Sequence, residues 1–263
     1  MLLLCTANVC RSVMAQAMLS ARLAARGVEV PVASAGLLGE GRPPPPEVVS
    51  VMAARGIDVT GHRSRIVTAD DLAKPTPCAG WNLADLLAHM TVQHRGFAAA
   101  ARGHGADEAI WQTATVADAV AADPAGSYSA AATEVIDAFA GDGVLDSEFA
   151  LPEFGPGAMF PAAMAIGFHY VDYVVHGWDV ARTLGQSYEL PVDVVAAALP
   201  LALVVPDGDF RTMDNAPFGP AIPSTDPADD LDRILTYLGR SPQWRPTVVQ
   251  AAVMAKTSGT AKS

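Results

Sequence analysis

The chain has no run of 18 or more apolar residues, so no membrane-spanning helix is expected from it. The closest approach, residues 192–205, is too short and carries Asp193 and Pro200. Leu2, Leu3 and Leu4 have no basic flank before them, which argues against a secretory signal. The expectation is a soluble, cytoplasmic protein with no membrane partner. Cysteine is scarce: Cys5, Cys10 and Cys78 are too few for a disulfide scaffold and fit a reducing compartment. Positive charge is short as well. Seventeen Lys plus Arg face 28 Asp plus Glu, for a net charge of −11. Phosphate backbones select a basic face, so no nucleic-acid partner is expected.

The charge that is present is unevenly spread. Residues 1–68 carry seven Arg against four acids, net +3, and residues 69–263 carry ten Lys plus Arg against 24 acids, net −14. A sign change of this size suggests two segments of different origin. The length of 263 residues suits one large domain or two modest ones, and 51% hydrophobic residues supply material for a core.

Periodicity and punctuation divide the chain in the same place. Residues 2–6 read as a short apolar strand, 13–26 as a helix stopped by Gly27, and 28–35 as a β-branched second strand ended by Gly36. Together they predict a βαβ unit. Four prolines, Pro43 to Pro46, precede a short helix over 47–55. After Asp71 the character changes. Pro75, Pro77 and Gly80 make a turn-rich entry, and Asn82 is placed to cap a helix reaching about Arg102, with Leu83, Leu86, Leu87 and Met90 at helical spacing. Further helices are expected over about 116–122, 127–140, 162–184, 192–204 and 229–238. Residues 150–161 and 206–227 read as loops.

Two constellations carry chemistry. The first is Cys5-Thr6-Ala7-Asn8-Val9-Cys10-Arg11-Ser12, a Cys-x5-Arg-Ser loop between strand and helix. Five residues let the backbone curl its N–H groups around a phosphate, with the positive end of the following helix behind it. Arg11 can hold two phosphate oxygens, and the same field favours a Cys5 thiolate nucleophile. Ser12 can donate to the sulfur as it leaves. The second is His169, Asp172 and His176, spaced three and four apart on one helix face. Asp172-x3-His176 sets a carboxylate and an imidazole one turn apart, which suits chelation of one ion, although an inward histidine is more often a core residue. His89 lies among apolar neighbours on the first long helix and is the candidate third ligand. His94 and Arg95 read as the solvated side, and Asp179 as a helix charge more than a partner of the site. Cys78 reads as a small buried residue.

The first segment resembles the start of a low-molecular-weight protein tyrosine phosphatase, a family similar to arsenate reductases. The resemblance includes Val32-Ala33-Ser34-Ala35-Gly36, Gly56-Ile57-Asp58 and His62-Arg63-Ser64-Arg65, and ends near Leu72. It implies that Cys5 is the nucleophile, with Arg11 beside it, and that Cys10 can form a protective disulfide with Cys5. The family runs on for about as long again, to a late Asp-Pro that supplies the general acid. Asp123-Pro124 and Asp226-Pro227 stand in the other segment, so this loop is expected to hold an anion and turn over poorly.

The second segment resembles the DinB-like metal-binding bundle of the mycothiol-dependent maleylpyruvate isomerase group. The residues that carry this are Pro75-Thr76-Pro77-Cys78-Ala79-Gly80-Trp81, Asp85-Leu86-Leu87-Ala88-His89-Met90, Val175-His176-Gly177-Trp178-Asp179-Val180-Ala181-Arg182 and Leu238-Gly239-Arg240-Ser241-Pro242-Gln243-Trp244. The resemblance implies a divalent metal, zinc or another first-row ion, on His89, Asp172 and His176, with His169 as a reserve ligand. It also implies mycothiol as co-substrate, so the expected partners are a small-molecule thiol and an electrophilic substrate.

The expected fold is therefore α+β: a partial α/β unit (βαβ with phosphate loop) over 1–72, joined to a mainly α DinB-like helical bundle over 73–246, with a flexible tail over 247–263. The bundle's usual first helix is missing, which would leave an apolar face exposed and favour a homodimer. Three functions stay open: a metal-dependent thiol transferase or isomerase, a phosphatase or arsenate reductase-like enzyme, and a non-catalytic metal- and anion-binding protein.

Overall fold

The computed structural model describes residues 2–4, 9–26, 33–35, 41–64, 69–186, 188–213, 216–223 and 229–246. The expected tail over 247–263 and the residues Cys5, Thr6, Ala7 and Asn8 lie outside the described residues.

The N-terminal part is the anticipated βαβ unit. Strand β1 (Leu2–Leu4) and strand β2 (Ala33–Ala35) pair in parallel, Leu2 opposite Ala33 and Leu4 opposite Ala35, with helix α1 (Arg11–Ala24) between them in sequence. Parallel neighbours need such a crossover. Helix α2 (Pro46–Ala53) begins with proline in its first turn, where a missing N–H costs nothing. Val48 and Met52 on α2 meet Val13 of α1 and Val59 in a small core of their own.

A short α3 (Ala69–Leu72) leads to the helical part. Helix α4 (Leu83–Ala101) starts in a complete capping box. Asn82 Oδ1 accepts from Asp85 N at 2.9 Å and Asp85 Oδ2 accepts from Asn82 N at 3.0 Å. Helices α5 (Ala117–Ala122), α6 (Pro124–Phe139) and α7 (Ala162–Thr183) all pack on α4. Asp123 caps α6, accepting from Gly126 N at 2.8 Å with Pro124 next to it, so this Asp-Pro pair starts a helix. Between α6 and α7 the expected loop contains an antiparallel hairpin, β3 (Glu148–Ala150) with β4 (Met159–Pro161). Its prolines and glycines occupy the connection, and its three-residue strands are too short to show alternation.

One core lies among α4, α6, α7 and the hairpin, around Phe97, Trp111, Val135, Phe149, Leu151 and Ala165. A second joins the other half of α7 (Val171, Val174, Val175, Trp178) to α8 (Val192–Leu203) and α9 (Asp230–Tyr237) through Ala198, Ala202, Ile234 and Leu235. The chain is thus α+β, with helix dominant. No helix among the described residues is long and apolar enough to cross a membrane.

Candidate metal centre

Helices α4 and α7 run antiparallel. His89 meets Asp172 and His176, and five residues further along α4, His94 meets His169, earlier on α7. At the first level His176 Nε2 lies 3.2 Å from Asp172 Oδ1 and His89 Nε2 lies 4.0 Å from Asp172 Oδ2. One donor atom from each of the three residues falls within 4.8 Å of the others. Trp81 covers one side of His89, ring centroids 4.9 Å apart.

The electrostatics suit a cation. Burial pushes the His89 imidazole down to about 4, so near neutrality its ring is uncharged and keeps a lone pair for a ligand bond. Burial acts on His176 in the same sense, but Asp172, Asp179 and Cys78 around it outweigh burial and hold the ring well above the ordinary imidazole range. For Asp172, burial pushes upward, and His176, by charge and hydrogen bond, reverses this and keeps the carboxyl ionised. A proton on His176 Nε2 answers Asp172; a divalent ion held by Asp172, His176 and His89 would replace it. Two imidazoles and a carboxylate form a donor set that accepts a first-row divalent ion, so the residues present fit the metal that the resemblance implies.

A second layer holds the first. His176 Nδ1 donates to Asp179 Oδ2 at 2.9 Å, and Asp179 is completely buried. Burial would raise the Asp179 carboxyl; the His176 hydrogen bond and the Arg240 charge overcome this and hold it low. Arg240 Nε donates to Asp179 Oδ1 and Oδ2 at 3.0 and 3.2 Å, and Arg240 Nη2 to Asp179 Oδ2 at 3.1 Å and Cys78 Sγ at 3.1 Å. Cys78 Sγ in turn lies 3.2 Å from Asp179 Oδ2. Local folding places both outer residues. The turn before α4 is closed by Thr76, whose N donates to Trp81 O at 3.0 Å and whose Oγ1 accepts from Cys78 N at 3.1 Å. Gly80 supplies the positive φ of 83° in that turn. Arg240 follows Gly239, whose φ is 76° and where a Cβ would stand 2.8 Å from the backbone of Gly219.

This corrects three sequence readings. Asp179 is the buried partner of His176, not a helix charge. Cys78 is a half-buried thiol in a polar network. His94 is buried, not solvated: its Nδ1 is 3.1 Å from His169 Nε2 and its ring stacks on Tyr173 at 4.1 Å. The signal for Asp179 was its three-residue spacing from His176. Arg240 stood within a motif that carried the resemblance, but nothing local pairs it with Asp179, 61 residues earlier. His169, the reserve ligand, is engaged with His94 one turn away from the three-residue group.

At the phosphate-like loop, α1 starts at Arg11, Ser12 and Val9 are buried, and Cys10 is a half-buried free thiol. Cys5, Thr6, Ala7 and Asn8 lie outside the described residues.

Fold and donor set together define a helical bundle with a candidate metal centre, preceded by a partial α/β unit. Comparison with known proteins matches residues 62–181 to the mycothiol maleylpyruvate isomerase N-terminal domain and residues 1–103 to low molecular weight phosphotyrosine protein phosphatase. Both resemblances read from the sequence are thus shown, and the chain carries a mycothiol isomerase-like and a phosphatase-like part. The matches overlap over 62–103, a stretch that includes α4, whose packing ties it to the bundle. Uncharacterised proteins of two Mycobacterium tuberculosis strains are 29% identical over 178 residues, 66% of this chain and 88% of theirs. A probable low molecular weight protein-tyrosine-phosphatase, EpsP, of Ralstonia solanacearum is 48% identical over 67 residues, 26% of this chain and 44% of its own length. No solved structure matches.

Proposed function

We propose that the helical part is a zinc- or similar divalent-metal-binding enzyme of the mycothiol-dependent transferase or isomerase type, cytoplasmic, acting on a small-molecule thiol and an electrophilic substrate. The observation that carries this reading is the convergence of His89, Asp172 and His176 within 4.8 Å, backed by the bond from His176 to Asp179.

A divalent ion with three protein ligands has an open position and, when bound, lowers the pKa of a group such as a thiol placed there. The chain's own residues prepare that position. His89, kept uncharged by burial, offers a lone pair without first losing a proton. Asp179 accepts a hydrogen bond from His176 Nδ1, which fixes the tautomer and aims Nε2 at the centre. Arg240 balances the buried Asp179 charge, so the Asp172 carboxylate, faced by the His176 and His89 rings, is the anion left to draw a cation in. Trp81 shields one face of His89 from water. A thiol bound there would lose its proton to solvent and could add to an electrophile, giving an adduct that is either the product or the form that isomerises.

The test is metal content by mass spectrometry on protein purified without chelator, beside His176→Ala. The expected result is about one divalent ion per chain, lost in the variant, as one closed donor set requires. Thiol-transfer activity should disappear with chelator and with His176→Ala, and persist in Cys5→Ser. No metal after added zinc sinks the reading.

A second reading, phosphatase or arsenate reductase-like chemistry through Cys5 and Arg11, is favoured by the similarity to EpsP over 67 residues and by the parallel β1–β2 pair. It predicts the reverse pattern: aryl phosphate turnover lost in Cys5→Ser and indifferent to chelator. Metal binding without either activity would leave a metal- and anion-binding fusion. A homodimer, covering the face that the missing first helix leaves, belongs to the same proposal.

A further inference from the structure

On the side of His176 away from His89, a second set of donors converges. Cys78 Sγ, His176 Nδ1 and Asp179 Oδ2 fall within 4.8 Å of one another. This set differs in character from the first because it contains a sulfur. Cys78 is a free, half-buried thiol on the turn before α4, and Asp179 is a completely buried carboxylate on α7. Where they meet, the structure already holds a cation: the Arg240 guanidinium, 3.1 Å from the sulfur through Nη2 and bonded to both carboxylate oxygens.

We propose that Cys78, Asp179 and His176 Nδ1 form a second metal site, selective for a thiophilic divalent ion of the cadmium or zinc class, for which Arg240 is the built-in competitor. Softness decides the selectivity. A thiolate prefers such ions over magnesium or calcium, whose partners are all oxygen. Loading releases two protons to solvent, one from the Cys78 thiol and one from His176 Nδ1, and frees the guanidinium from Asp179. The two sites share one imidazole and are therefore antagonists. An ion in the second site takes from His176 the carboxylate that orients it toward the first, and loss of such an outer partner lowers metal affinity by about 10–100-fold. The antagonism rests on the metal reading of His89, Asp172 and His176; the sulfur site does not.

The experiment uses the full chain carrying Cys5→Ser and Cys10→Ser, which leaves Cys78 as the only thiol. Cadmium is titrated into the apo-protein while the thiolate-to-cadmium charge-transfer absorption is followed in the ultraviolet. The expected result is a band that saturates, is abolished by adding Cys78→Ser and survives His89→Ala. Arg240→Met, if it folds, should bind cadmium at least about tenfold more tightly. If it does not fold, the Cys78→Ser comparison still decides. Prebound zinc should be lost at least about tenfold more readily once the band has saturated. No band at saturating cadmium, or a band indifferent to Cys78→Ser, overturns the site, and zinc retention unchanged by cadmium overturns the antagonism. Failure of the first-site reading looks different: zinc bound in cadmium-free buffer is then unaffected by His89→Ala, while the Cys78 band is still seen.

Discussion

His176 and Asp179 lie three residues apart on α7, and the imidazole Nδ1 donates to the carboxylate at 2.9 Å. Because this bond fixes which nitrogen of His176 faces Asp172, it sets the geometry of the candidate centre from behind. Asp179→Asn keeps the volume but replaces an ionised acceptor by a neutral amide. Zinc affinity should fall by about 10–100-fold, as for loss of comparable outer partners. The helix content should stay near wild type. A competition titration against a chelating dye measures it. Affinity within about twofold of wild type would show that His176 needs no such support.

The paired histidines His94 and His169 predict how stability responds to acid. Burial, and for His94 the neighbouring His169, pushes them down to about 3 and about 4, against about 6.5 when unfolded. Between those limits the unfolded chain binds protons that the folded chain refuses. Stability is therefore fully present above pH 6.5 or so, and is lost as the pH falls toward 4, by about 1.4 kcal/mol per unit for each histidine. Glu153, raised by burial, acts in the opposite sense and offsets part of the loss. Urea midpoints at about pH 7 and about pH 5 should therefore differ, with the lower value in acid. The double variant His94→Leu/His169→Leu should show a flatter dependence. Equal midpoints in the parent protein would contradict the argument.

Much of this arrangement was legible in the sequence, and the failures share a cause. Apolar spacing and the Asn82–Asp85 box located α4, and the Asp172-x3-His176 spacing placed two donors on one face of α7. His94, four residues past Met90, continues the apolar stripe through Leu83, Leu86, Leu87 and Met90. It was misread as solvated because the partner that satisfies it, His169, lies 75 residues away on α7. Asp179 read as a helix charge because its counter-ion, Arg240, arrives only when the segment after α9 folds back. Cys78 depends on the same long-range closure. Local pattern carries helices and their caps; it does not carry which distant cation neutralises a buried acid.

Gly96 offers a test of how tightly the bundle is packed beneath the site. It sits inside α4, where alanine would ordinarily stabilise the helix by about 1 kcal/mol. An added Cβ, however, would stand 2.4–2.6 Å from three atoms of the Trp111 ring. Trp111 cannot retreat freely. It is buried, its Nε1 donates to Gly105 O at 2.9 Å, and its ring meets Phe97 edge-on at 5.4 Å. Overpacking of this kind costs about 1–3 kcal/mol before the helix gain is counted, so the two effects oppose each other and the steric one should win. Gly96→Ala should lower the unfolding free energy by up to about 2 kcal/mol, read as a shift in urea midpoint at unchanged slope. Gly96→Ala with Trp111→Phe, whose ring is smaller, should recover part of the loss. A single variant more stable than the parent would mean that Trp111 has room to move, and that the core below the His94–His169 pair is looser than these distances imply.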